Sequence, residues 1–410
     1  MQAGLACARW LVPIVAVIAA SVGAASEPRA TTDLVQGSNA FAFELYARLS
    51  HEPGNVFFSP FSIHSALAMA YAGARTATAR EMARALHYSQ GPETLGGTYG
   101  EVLRDLRAAS PSGDSLKRSE LNIANALWGN PRMQIRPEFA AGIKRDYGGT
   151  VRWLDFGKNR AACDTINDWV SAATHGRITQ LVPASAIDDS TVSVLVNAIY
   201  FHGCWARAFD EGATRPEPFH LVPGDSVAVP TMSQTVRTDY AETPDLQLLE
   251  LPYADHRLSM ILLLPRRTDG LDSVEGSFDQ ARVSGWLARR EWREVEVHLP
   301  RFTFSVGSGL EGPLMAMGMK LAFNLERADF TGMTPLSRVC ISAVFHKAFV
   351  AVDEKGTEAA AATAVLHFRG GRSGSEPPPI VFRADHPFVF LIRDTRSGAI
   401  LFLGRVADPR

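Results

Sequence analysis

Gly307-Ser308-Gly309-Leu310-Glu311-Gly312 has the spacing of a loop that cradles a dinucleotide phosphate. Glycines at those positions would let backbone N–H groups approach a pyrophosphate at a helix N-terminus. That chemistry needs a buried parallel strand before the loop and a βαβ unit around it. The preceding residues alternate Glu294, Val295, Glu296, Val297, His298, Leu299, so one face is wet, and Pro313 follows in a short helix. A plain turn is the better reading. The eleven histidines make no His-x-His or His-Glu-x-x-His pattern, and no Cys-x-x-Cys occurs. Metal catalysis therefore has no support. There is no Gly-x-Ser-x-Gly elbow for a hydrolase nucleophile. His346 and Asn197 each sit in the middle of a strand-like apolar run. Buried polar groups in such places are normally hydrogen-bonded parts of the structure rather than catalysts. Neither an enzyme nor a cofactor is expected.

The elements around these residues read as α+β. The chain has 410 residues, with 46% hydrophobic and 20% charged, enough for a large core. No internal repeat or early linker divides it, so one large domain is expected over 26–410. Helical periodicity covers 32–49, 62–72, 76–86, 98–108, 137–147, 160–174, 278–289 and 312–319. Strand patterns cover 55–58, 121–128, 151–156, 190–201, most of 217–265, 294–306, 342–352, 380–382, 388–393 and 399–406. Helices dominate the first third and antiparallel-type strands the remainder.

Residues 1–25 look like a secretory signal. Arg9 is their only charge, the apolar run 11–20 is too short to cross a bilayer, and Val22-Gly23-Ala24 offers a cleavage pattern. Export to an extracellular or periplasmic space follows, with no membrane attachment of the mature chain. The net charge of −2 predicts no nucleic-acid partner. Beyond the leader only Cys163, Cys204 and Cys340 remain. Three scattered cysteines do not make a disulfide framework.

The stretch Gly356-Thr357-Glu358-Ala359-Ala360-Ala361-Ala362-Thr363-Ala364-Val365 carries one charge and almost no bulk. Four consecutive alanines favour helix. The context is different: a strand-like run precedes the stretch, and a loose Gly-, Ser-, Arg- and Pro-rich segment, 368–379, follows it. A segment able to be loop, helix or strand is a candidate for a conformational change.

Four motifs in order resemble the serpin family. They are Asn55-Val56-Phe57-Phe58-Ser59-Pro60-Phe61-Ser62-Ile63, Val196-Asn197-Ala198-Ile199-Tyr200-Phe201-His202-Gly203-Cys204-Trp205, His346-Lys347-Ala348-Phe349 running on to Glu354-Lys355-Gly356-Thr357-Glu358, and Phe382-Arg383-Ala384-Asp385-His386-Pro387-Phe388-Val389-Phe390. His202 stands where the family usually has Lys. The resemblance covers nearly the whole mature chain. It implies three β-sheets, about nine helices, an exposed reactive-centre loop at about 354–379, and a monomer. It also implies suicide inhibition of a serine protease: the cut loop enters the central sheet as a new strand and the acyl-enzyme is trapped.

The loop's composition suits that role. Thr357, Ala359, Ala361, Thr363 and Val365 would turn to the core in one register, and none is larger than Val. Bulk or charge there would impede insertion. Glu358 would face outward, and Gly356 would give the hinge a free φ. Roughly ten added backbone hydrogen bonds at about 0.5–1.5 kcal/mol each would drive the change. The uncut form would be kinetically trapped, its loop outside the sheet until cleavage. The hinge comprises Glu354, Gly356, Thr357, Glu358, Ala359, Ala360, Ala361 and Ala362. By resemblance, Ser59, Ser62, Asn197 and His346 sit where the sheet opens, Trp205 lies near the point of loop insertion, and Glu354 pairs with Arg301. The family's usual spacing puts the cut at Gly370–Gly371. A count one residue shorter gives Arg369–Gly370, which is preferred because an exposed Arg is a stronger protease handle, and Arg372–Ser373 is a third choice. Arg would suit a trypsin-like protease, Gly an elastase- or subtilisin-like one. The alternatives are a non-inhibitory carrier, chaperone or storage serpin, an inhibitor of papain-like cysteine proteases, and, less well supported, a secreted hydrolase.

Overall fold

Ser59 and Pro60 start the helix on which the core is built. Ser59 is extended and its hydroxyl accepts the N–H of Ser62, while Pro60 fills a first-turn position that needs no donor. The helix is mostly apolar, with Ser62, His64 and Ser65 its only polar side chains apart from the Tyr71 hydroxyl, and all its residues except Ala72 are buried. Such a helix has to be enclosed by other elements.

The computed structural model describes residues 27–108, 119–222, 224–357 and 378–410. Among these are nine α-helices: α1 (Glu27–Leu49), α2 (Pro60–Gly73), α3 (Thr76–Ala85), α4 (Leu95–Ala108), α5 (Pro137–Gly142), α6 (Asn159–Ala173), α7 (Leu271–Glu275), α8 (Gln280–Leu287) and α9 (Glu311–Ala316). The strands run in chain order as β1 (Val56–Phe58), β2 (Glu120–Gly129), β3 (Thr150–Trp153), β4 (Ser193–Cys204), β5 (Arg215–Val222), β6 (Asp225–Glu242), β7 (Leu246–Pro252), β8 (Leu258–Pro265), β9 (Glu291–Pro300), β10 (Phe302–Gly309), β11 (Ala343–Val352), β12 (Gly356–Thr357), β13 (Ile380–Arg383), β14 (Phe388–Asp394) and β15 (Ile400–Val406). The leader 1–25, Glu358 through Ala362, and the bond candidates Arg369, Gly370, Gly371, Arg372 and Ser373 lie outside the described residues.

The fold is α+β. One sheet has the order β10-β11-β12-β4-β2-β3. The other runs β1-β15-β14-β8-β7-β6-β9-β13, with β5 also on β6. The three-sheet expectation takes a specific form here. The long β6 pairs with β5 at its start, β9 along its middle and β7 at its end. It thereby joins β5, β7 and β9 in one nine-stranded sheet, and no separate third sheet is resolved among the described residues. Helix α2 packs against β2 and β4 of the six-stranded sheet and against β15 of the other. A smaller core lies between the opposite face of β4 and α6, built from Trp128, Ile166, Val194, Val196 and Phe345.

The expected single strand 294–306 is two strands. The chain turns at Arg301, between Pro300 and Phe302, and passes from one sheet to the other. Alternation continues across the corner, so periodicity could not show it. The Gly307–Gly312 motif lies at the end of β10, which is antiparallel to β11. The βαβ setting of a nucleotide loop is therefore missing there. The expected helix 137–147 holds, but its last turn, Ile143–Tyr147, widens to π geometry before Gly148 ends it with φ 62°. Among the described residues no disulfide joins Cys163, Cys204 or Cys340. Among the described residues no helix is long and apolar enough to cross a membrane, and no group of three His, Cys, Asp or Glu is placed to hold a metal.

Candidate functional site

A polar row crosses the central sheet. Asn125 on β2 pairs in register with Asn197 on β4, which pairs with His346 on β11. All three are buried. The start of α2 lies beneath them and presents Ser59, Ser62 and Ser65. Asn197 Nδ2 donates to Ser62 Oγ at 2.5 Å and to Asn125 Oδ1. Asn125 Nδ2 donates to Ser65 Oγ at 2.7 Å, and Ser59 Oγ donates to the Leu401 carbonyl at 2.6 Å.

His346 closes the row. The Ser59 backbone N–H can only donate, so His346 Nε2, 3.1 Å away, accepts. The proton is then on Nδ1, which donates to Asn197 Oδ1 at 2.5 Å. The imidazole is neutral, and burial pulls its pKa from 6.5 down to about 3. A second proton would set Nε2–H against the Ser59 N–H.

Above this row the sheet forks. β4 and β11 are parallel neighbours from Val194↔Ala343 to Ile199↔Ala348. Beyond that point they part, and β12 occupies the gap. Gly356 faces Cys204, and Thr357 lies between Gly203 and Val352. A tight turn returns the chain there: Asp353 Oδ1 accepts the N–H groups of Lys355 and Gly356 at 2.8 and 3.1 Å. Gly356 and Thr357 are thus already in the sheet, which corrects the expectation of a loop wholly outside it. Gly356 has φ +156°, and a Cβ there would lie 2.0 Å from the Gly203 carbonyl oxygen. Close approach to backbone, as well as free φ, demands glycine. Thr357 is buried, its hydroxyl 2.7 Å from that of Tyr253.

Trp205 and Glu354 brace the turn. The Trp205 indole N–H donates to the Asp353 carbonyl at 2.9 Å, its backbone N–H donates to the Lys355 carbonyl at 2.9 Å, and its ring stacks on Tyr253 at 4.8 Å. Arg301 Nε donates to Glu354 Oε1 at 2.8 Å and Nη2 to the same oxygen at 2.5 Å, joined by the Thr214 hydroxyl. Burial pushes the Glu354 carboxyl up, but Arg301 and Thr214 outweigh it and hold it below the ordinary value. The corner at Arg301 is what brings this guanidinium to the hinge.

Ser59, Ser62, Asn197 and His346 therefore form one cluster, and Trp205, Arg301, Glu354, Gly356 and Thr357 a second, higher in the same fork. Asn125, Ser65 and Tyr253 escaped the sequence reading. Asn125 left a signal, as the polar residue amid the apolar part of its strand, and Ser62 and Ser65 left another, as an i, i+3 pair in an apolar helix. Among the described residues neither cluster joins a nucleophile to a base or gathers metal ligands. The arrangement is suited to changing which strands are neighbours.

The serpin (serine protease inhibitor) family profile matches residues 36–409. An uncharacterized serpin-like protein of Thermococcus kodakarensis is 41% identical over 378 residues, spanning 92% of this chain and 86% of its own. Leukocyte elastase inhibitor of Homo sapiens is 37% identical over 390 residues, spanning 92% and 99%. Uncleaved ovalbumin superposes with a TM-score of 0.81 at 29% identity, over 92% of this chain and 100% of that one. Native protease nexin-1 with heparin gives 0.82 at 27% identity, over 92% and 100%. With a family profile matching almost the whole chain, the protein belongs to the serpin family, whose members are protease inhibitors or carriers and not enzymes.

Proposed function

We propose that this serpin is an inhibitor that traps a serine protease by inserting its cut loop between β4 and β11. One relation of register carries the reading. β12 pairs Thr357 with Gly203 on one side and Val352 on the other. Continuing both antiparallel ladders puts Ala359 between Phe201 and Val350, and Ala361 between Ile199 and Ala348. Thr363 arrives between Asn197 and His346, and Val365 between Leu195 and Val344. Those β4 and β11 residues are already partners in the same rows wherever the two strands touch. The strands therefore need no sliding, only a separation of about one strand spacing, roughly 4.8 Å.

The side chains suit the rows they would meet. Ile199, Phe201, Leu195, Val344, Ala348 and Val350 belong to the main core, and they would receive Ala359, Ala361 and Val365. The polar row would receive Thr363, whose hydroxyl can both donate and accept in place of the broken His346–Asn197 bond. Glu358 would fall on the opposite face. One parallel ladder would be exchanged for two antiparallel ones, a net gain of hydrogen bonds.

In the covalent step the protease's serine Oγ attacks the carbonyl carbon before the scissile bond. The amine of the following residue leaves with a proton, and an ester joins the two proteins. Insertion carries that ester away before water hydrolyses it. Arg369–Gly370 is our first choice of bond, with Gly370–Gly371 and Arg372–Ser373 next. An Arg bond fits a trypsin-like pocket. A Gly bond fits an elastase- or subtilisin-like one, a preference that the relative named as a leukocyte elastase inhibitor supports. We also read residues 1–25 as an export leader, which N-terminal sequencing of the mature protein would test.

Mixing the chain with trypsin, subtilisin and elastase should give an SDS-stable complex with at least one. Mass spectrometry of the released C-terminal peptide then identifies the bond. Clean cleavage without complex by every protease, a papain-like cysteine protease included, overturns the proposal.

A further inference from the structure

A cavity of about 240 Å³ opens on the flank of the hinge. Its apolar lining includes Trp205 and Phe209, both buried, and the indole of Trp292, which is 64% exposed. Arg207, Arg237 and His256 also line it, and no carboxylate does. Arg207 is exposed, and its guanidinium has no ion pair or hydrogen bond among the described residues. Aromatic surface beside the Arg207 cation favours a flat, apolar ligand carrying one negative group. The volume limits that ligand to one or two fused rings.

We propose that this cavity binds a small aromatic carboxylate, its ring against Trp205 and Trp292 and its carboxylate on Arg207. Arg207 can meet both oxygens of a carboxylate with two N–H donors. Trp292 gains burial that it lacks in the free protein. The inner wall is the Trp205 indole, whose N–H holds the Asp353 carbonyl and whose ring stacks on Tyr253. A ligand seated there therefore stiffens the turn that carries Gly356 and Thr357. The site stands whether or not the loop inhibits a protease.

Calorimetric titration of the full chain with 1-naphthoate, and with its uncharged isostere 1-naphthamide, tests the assignment. Naphthoate should bind with 1:1 stoichiometry and at least about tenfold more tightly than the amide, as expected for a charge-assisted pair. Trp292→Ala and Arg207→Gln change exposed side chains, so both variants should unfold at the wild-type temperature. Each should weaken naphthoate at least about fivefold, and Arg207→Gln should also abolish the preference over the amide. Absence of saturable binding, equal affinity for acid and amide, or binding indifferent to both substitutions overturns the site. Amide hydrogen exchange at saturating naphthoate reads the link to the hinge: Gly356 and Thr357 should exchange more slowly, and unchanged exchange overturns that link.

Discussion

The backbone N–H of Ser59 points at Nε2 of His346 from 3.1 Å, so the central sheet is tied to the first turn of α2 through an imidazole that must remain neutral. His64, beside Tyr88 and Tyr99, is also fully buried, and its Nε2–H donates to the Leu86 carbonyl at 2.7 Å. Burial is the main cause that pulls each histidine to about 3.

Acid should therefore weaken the fold well above the carboxylate range. Both folded-state values lie below the unfolded value of 6.5, so the unfolded chain takes up protons first as pH falls. Stability is complete above that value and is lost down to about pH 3, by about 1.4 kcal/mol per pH unit for each histidine. His346→Gln should halve the slope contributed by this pair and leave the part due to His64. Urea unfolding at pH 7.5 and pH 5 measures it, and a variant as acid-sensitive as wild type contradicts it.

Arg301→Ala should loosen the hinge. Arg301 is 43% exposed, which screens the pair, but the Glu354 side chain is only 4% exposed and would keep Thr214 as its main side-chain partner. The expected cost is about 1–2 kcal/mol at pH 7. In wild type the depressed Glu354 value gives stability that is present above the ordinary 4.5 and lost as pH falls through the folded value. Without Arg301 burial dominates, the carboxyl rises, and acid neutralises it in the folded state. The gap between variant and wild type should narrow from pH 7 to pH 4, and a constant gap across that range contradicts the assignment.

Gly356→Ala should expel β12. Its Cβ would meet the Gly203 carbonyl oxygen at 2.0 Å, and backbone cannot move aside as a side chain can. Hydrogen exchange of residues 356 and 357 should quicken at least about tenfold, the mark of a local opening made easier by about 1.4 kcal/mol. Wild-type protection at both amides would show that the pairing does not need glycine.

Thr357→Arg should convert the proposed inhibitor into a substrate. The wild-type side chain is buried against Tyr253, so insertion past this point would bury an unpaired cation. Cleavage should continue while the yield of SDS-stable complex falls. Thr363→Arg should do the same by meeting the Asn197–His346 row. Unchanged yield in both variants would refute the register.

Much of the fold was legible because its signals are local. The Pro60 start, the mostly apolar α2 and the alternation of β4 each follow from neighbours in the chain. The corner at Arg301 was not legible, because period-two alternation runs through it although the strand changes sheet. Nor was β12. Nothing in Gly356-Thr357 alone says that two residues already pair with Gly203 and Cys204 in the uncut chain. Asn125 and Ser65 were missed because their partners come from other elements.

The order of side chains alone carries the case for the proposed insertion. Small residues at every second position, a glycine at the hinge and one outward glutamate are properties of a string, as is membership of the family. Which hydroxyl would meet which polar row is another matter. Asn197 and His346 are 149 residues apart, and in the proposed insertion Thr363 would align with both only because the two ladders flanking β12 keep the offset already present between β4 and β11. Hydrogen-bond register between β4, β11 and β12 is a property of paired strands, so it exists only once the chain has brought them together.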